Sequence, residues 1–255
     1  MILKLKKNQF LFEELVKREF KKKYKGTALG MVWSLLSPLL TLLVMRVMLG
    51  GFFGGAVDNY TTYLFCGNLI FTWFNDSCSQ GMTSLRNNAD IFTKIPIPKY
   101  LFVLAKNVQT LINFGLTLAV FLLFCLFDGV AITFKFFLLL YPVFCLLLFN
   151  LGMGLILSAL FVFFRDMQYL WTVFAQILMY MSAIFYTTEG FSPLLQKLMY
   201  LNPVYCFITY FRQIVLYGQI PGAWLHGLIL FFGAAALALG CGIYKKYNQK
   251  FLYYV

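Results

Sequence analysis

Six stretches of this chain are apolar over about twenty residues, and they limit its fold more than any other feature. They run near Met31–Phe53, Tyr60–Met82, Leu101–Phe127, Phe136–Phe164, Tyr169–Tyr186 and Trp224–Tyr244. A hydrocarbon core ~30 Å thick is crossed by about 20 such residues in a helix. The runs are continuous rather than alternating, which predicts helices and not barrel strands. Of the residues, 61% are apolar and 12% charged, whereas a soluble domain carries about 25% charged residues. The expectation is an all-α integral membrane protein with six transmembrane helices.

Charge placement orients it. Seventeen lysines and arginines lie in or beside the connections of one side, nine of them in the N-terminal segment. The other side has three, Lys135, Lys197 and Arg212. By the positive-inside rule both termini are cytoplasmic. The net charge of +12 therefore reads as attraction to anionic headgroups, and no nucleic-acid partner is expected. The six cysteines mostly sit inside apolar runs without C-x-x-C spacing, as free apolar-like thiols, suggesting neither disulfides nor a metal site. A cleavable signal is not expected either, because its apolar region would be shorter and nearer the start.

One further segment, Phe191–Gly218, is apolar enough to suggest a seventh crossing. A crossing there would put the lysine-bearing tail outside, and Pro193, Lys197, Asn202, Pro203, Arg212 and Gln213 are costly against lipid. Two short helices hinged at Asn202-Pro203, entering and leaving on the outer face, satisfy both constraints. Such backbone must be covered by protein or line a wet cavity, so this re-entrant hairpin is expected at the outer mouth of a pathway. Ahead of the first span, Phe12, Val16, Phe20 and Tyr24 recur at i+4, with Leu11 and Leu15 beside them. They predict a helix lying in the cytoplasmic interface, although Glu19 and Lys22 intrude on its apolar stripe. The expected domains are an interfacial segment at 1–29, a membrane domain at 30–247 and a cytoplasmic tail at 248–255.

Catalytic chemistry is not visible. The chain has no phosphate-loop motif, and the GGFFGG stretch at Gly50–Gly55 reads as a loop. The nine acidic residues form no cluster that would hold a divalent metal on a diphosphate. His226 reads as a boundary residue. Two ionisable groups within the spans, Arg46 and Asp76, are candidates for a substrate path. The rings of Tyr60, Tyr63, Phe71 and Trp73 could line a conduit in which sugar faces stack. The polar stretch Ser84–Tyr100, stopped by Pro96 and Pro98, suits a short cytoplasmic helix that docks into a partner.

REFKKKYKGTALGMVWSLLSPLL resembles the opening of the permease subunits of type-2 ATP-binding-cassette polysaccharide exporters, the exporters of O-antigen, capsule and teichoic acid. SLRNNADIFTKIPIPKYLFVLA, LSALFVFFRDMQYLWTVFAQILMYMSAIFY and LMYLNPVYCFITYFRQIVLYG resemble later blocks of the same family, in the same order. Two departures are Arg46, where the family has an apolar residue, and Thr27 in place of serine. The resemblance implies a coupling helix seated in a separate ATPase, carried by Asn88, Asp90, Ile91, Phe92, Lys94 and Ile95. It implies an outer gate formed by Pro193, Leu201, Asn202, Pro203, Tyr210 and Arg212. It also implies two permease and two ATPase subunits, with ATP and magnesium on the partner, no cofactor in this chain, and a lipid-linked glycan as cargo. The setting would be the cytoplasmic membrane of a bacterium or archaeon. Two other readings compete: a type-2 exporter of drugs or lipids, and a membrane-embedded glycosyl- or phosphotransferase.

Overall fold

The computed structural model describes residues 9–24, 30–53, 59–94, 97–247 and 250–254, and these are helical with no strand among them. Helix α1 is Gln9–Tyr24, α2 is Trp33–Phe53 and α3 is Tyr60–Thr83. A short α4, Ala89–Phe92, precedes α5, Tyr100–Phe127. A 3₁₀ segment, Phe134–Leu139, leads into α6, Leu140–Phe163, followed by α7, Met167–Met181. Two shorter helices, α8 (Pro193–Met199) and α9 (Pro203–Val215), come before α10, Ala223–Tyr247, and the terminal α11, Phe251–Tyr254.

Among the described residues, three helices are long and apolar enough to cross a membrane: Tyr100–Phe127, Phe134–Phe163 and Ala223–Tyr247. The other three expected spans are also helical. Among its described side chains, α2 has an apolar stretch at Trp33–Met48. Helix α3 carries Asn68, Asn75, Asp76 and Ser77 within its length. Helix α7 has 15 residues, about 22 Å at 1.5 Å per residue. At Gly50–Phe53 the sequence suggested a loop, yet α2 continues through these residues. Glycine there weakens a final helical turn by only about 1 kcal/mol each relative to alanine. Residues 54–58 lie outside the described set.

Helices α6 and α10 form the closest pair. A Cβ added at Gly152 would stand 2.3 Å from the Ala236 carbonyl carbon, and one at Gly240 would stand 2.7 Å from the Gly152 oxygen. Gly233 meets the Cys145 oxygen in the same way, at 2.7 Å. Without a solvent-driven hydrophobic force in lipid, close backbone approach at small residues is what holds spans together. Gly81 of α3 and Gly154 of α6 repeat the device at 2.9 Å.

Contacts sort the connections into two ends. At one end the Thr62 hydroxyl of α3 donates to Asp128 after α5, Lys135 donates to the Gly218 carbonyl, and Tyr141 of α6 donates to the His226 carbonyl. At the other end α1 packs on α5, while Phe163, Tyr244 and Phe251 share an aromatic cluster. Both described chain ends therefore lie together, on the side that carries α4.

Candidate functional site

The α8–α9 hinge is built by two proline-started helices. Pro193 and Pro203 each occupy a first-turn position, where the missing N–H costs no hydrogen bond. The Asn202 side chain accepts from the Val204 and Tyr205 amides at 3.0 and 3.4 Å, capping α9. Its amide group donates to Ser182 Oγ at 2.9 Å, which ties the hinge to the end of α7. Leu201 beside it is exposed (72%), as are Leu194, Leu195 and Leu198 of α8. Helix α9 is the opposite. Phe207, Ile208, Tyr210, Phe211 and Ile214 are wholly enclosed, in contact with α3, α6 and α10. The Tyr210 hydroxyl is 2.9 Å from His226 Nε2, so the lone histidine joins α9 to α10.

Arg212 of α9 is 5% exposed and reaches across to two other elements. Its Nη1 donates to the Ala183 carbonyl at 2.8 Å, and its Nη2 donates to the Tyr63 and Ile184 carbonyls at 3.2 and 2.9 Å. The guanidinium carbon stands 3.4 Å from the centroid of the Tyr63 ring. A Cβ at Gly67 would meet this guanidinium at 2.9 Å, so the glycine makes room for it. Beside Arg212 lies a cavity of about 330 Å³, walled by Tyr63, Thr209, Gln213, Tyr205 and Tyr217, among others.

A second cavity of about 370 Å³ opens between α2, α3 and α5. Trp73, Asp76, Asn68 and Thr72 of α3 face Ser34 and Ser37 of α2 and Asn113 of α5 across it. Trp73 is stacked on Phe114, with centroids 4.0 Å apart. The conduit candidates thus divide. Trp73 and Asp76 line this cavity, and Tyr63 lines the one beside Arg212. Tyr60 and Phe71 are buried in the core and line neither; the Tyr60 hydroxyl donates to the Phe185 carbonyl at 2.9 Å. Arg46 is exposed on α2, nine residues beyond Ser37, or about 13 Å along a helix.

At the other end, the coupling candidates split by exposure. Phe92 is buried against Phe102, with centroids 5.9 Å apart, and Asn88 is buried with its amide donating to the Ser84 carbonyl. Ile91 is half-buried, while Asp90 and Lys94 are exposed; Ile95 lies outside the described residues. Lys99 sits near the rings of Phe92 and Phe251, at 5.8 Å from each, and burial pushes its ammonium below the usual lysine range. In α1, Phe12 and Val16 pack half-buried against this cluster and Phe20 is half-buried, while the Tyr24 side chain lies outside the described residues. Among the described side chains of that helix Leu15 and Glu19 are the enclosed ones, and Glu19 pairs with Lys106 of α5 at 2.6 Å. Glu19 does not interrupt a lipid-facing stripe, as the sequence suggested. It anchors the face that packs on protein, because its charge is matched there.

The O-antigen export system permease protein RfbA of Myxococcus xanthus is 28% identical over 217 residues, covering 84% of this chain and 83% of that protein. A protein of the same description from Klebsiella pneumoniae is 24% identical over 257 residues, covering 98% of each. Residues 11–216 match the ABC-2 type transporter family, a stretch that runs from α1 through α9. With that match over most of its length, the chain belongs to the ABC-2 type transporter family of membrane permeases.

Proposed function

We propose that this chain is the permease of an ATP-driven exporter that carries a lipid-linked polysaccharide, of O-antigen, capsular or teichoic-acid type, out across the cytoplasmic membrane. The observation that carries the proposal is the family match over residues 11–216, together with full-length relatives named for O-antigen export. On this reading α2, α3, α5, α6, α7 and α10 are the six spans. Residues 1–29 form an interfacial segment, 30–247 the membrane domain and 248–255 a cytoplasmic tail. The end that holds α1, α4 and α11 faces the cytoplasm, in keeping with the excess of lysine and arginine there. Helices α8 and α9 enter and leave on the outer face, and the exposed leucines of α8 suit hydrocarbon better than water.

Two copies enclose the path, and a separate ATPase pair beneath them holds ATP and magnesium. Asp90, Ile91 and Lys94 meet that ATPase, while Phe92 roots the contact in the aromatic cluster that also touches α6 and α10. Closure of the ATPase pair is then felt at the span ends. Hydroxylated sugar chains slide past stacked rings without one tight site, which favours processive movement. Reconstitution with the ATPase and lipid-linked glycan tests this. Ile91→Ala and Lys94→Ala should cut ATP-driven transfer several-fold while melting stays unchanged. Full transfer in both variants would remove α4 from the coupling path.

A further inference from the structure

Arg212 carries a buried positive charge that the fold solvates but does not neutralise. Its three protein acceptors are carbonyl oxygens, and Nε has no partner. The ion pairs among the described residues are Lys17–Glu14 and Lys106–Glu19, neither of them in α9. A charge withdrawn from water is stable when it is hydrogen-bonded and also paired with an opposite charge. The carbonyls supply the first condition and hold the guanidinium in a fixed plane against Tyr63. The second is left for something that enters the adjoining cavity.

The cavity narrows the choice of that group. Its volume of about 330 Å³ suits a small ring, at the lower end of ligand pockets. Thr209 and Gln213 offer a hydroxyl and an amide along α9, and Tyr205 and Tyr217 offer flat faces and phenol groups. Planar polar groups and ring faces together match a polyhydroxylated ring better than a bare ion. We propose that this cavity is a binding site for one acidic sugar unit, a ring bearing a carboxylate or phosphate, of the glycan the chain exports. The identity of the cargo rests on the export reading; the site itself rests on Arg212 and its walls. Glu189 also borders the cavity but is exposed, and its carboxylate opposes an incoming anion.

Calorimetric titration of the full chain in neutral-lipid nanodiscs tests the site, with methyl glucuronate, methyl glucoside and inorganic phosphate as probes. Glucuronate should bind about tenfold more tightly than either of the others, since a charge-assisted contact exceeds a neutral one. Gln213→Ala and Thr209→Val, at half-buried positions, should each weaken glucuronate about fivefold with no change in melting. Glu189→Gln should tighten it about twofold. Equal affinity for glucoside and glucuronate overturns the acidic part, and phosphate binding as well as glucuronate overturns the sugar part. Affinity unchanged in both α9 variants overturns the location. Arg212→Gln should abolish binding; because its carbonyl contacts also hold three elements together, the two milder variants decide. ATP-driven transfer, measured on the same chain reconstituted with its ATPase in sealed vesicles, keeps the two readings apart. Transfer without glucuronate selectivity removes this site alone, and selectivity without transfer removes the export reading and leaves the site's chemistry standing.

Discussion

Glu19, Lys99 and Arg212 are the charged side chains buried among the described residues, and each is held differently. Arg212 relies on carbonyls, Lys99 sits between rings, and Glu19 has a lysine partner. The Glu19–Lys106 pair is the simplest to test, because removing one partner strands the other. Glu19→Gln should lower stability by roughly 1–3 kcal/mol, less than a fully buried pair would, since Lys106 keeps some solvent contact. Replacing both residues by methionine should restore most of it. A double-mutant cycle on thermal melting in detergent checks both outcomes. The sequence alone misplaced this residue. An i+4 stripe of Phe12, Val16, Phe20 and Tyr24 reads as a lipid-facing surface, and nothing local says that Lys106, eighty-seven residues on, waits for Glu19. Periodicity reports which face is apolar, not which face meets protein.

At the scale of elements, the α6–α10 seam and the α8–α9 hinge carry the packing. Gly152→Ala would drive a methyl group into the Ala236 backbone and should cost at least about 1–3 kcal/mol, as overpacking does. Gly242→Ala, in the same α10 but with nothing within 4 Å, should be neutral or stabilise by up to about 1 kcal/mol. The two melting temperatures, compared side by side, separate close approach from helix propensity. Asn202→Ala removes a cap and the tie to Ser182, and should cost about 1–2 kcal/mol. The hinge was legible in the sequence because Asn-Pro is local punctuation. The seam was not: Gly233 and Gly240 are seven residues apart on one face of α10, a usable signal, but which helix they meet is a tertiary fact. Likewise, the polar content of Phe191–Gly218 argued against an ordinary crossing, whereas the enclosure of α9 inside the molecule followed only from its contacts.

Over the whole molecule, the connections fall at two ends, proposed above to lie on opposite sides of the membrane. The helical character and the positions of the long apolar helices could be read from composition and run length. The two cavities could not, since each gathers residues from three or more separate elements. The direct test of the assignment is sidedness. In a background whose six cysteines are replaced, Gln219→Cys and Tyr254→Cys place a thiol at two exposed sites, one just past the hairpin and one in α11, to be labelled with an impermeant maleimide on intact cells and on inverted vesicles. Labelling of the Gln219→Cys variant is expected on intact cells only and of the Tyr254→Cys variant on inverted vesicles only. Labelling of both from the same side, or in the reverse sense, would contradict the assignment.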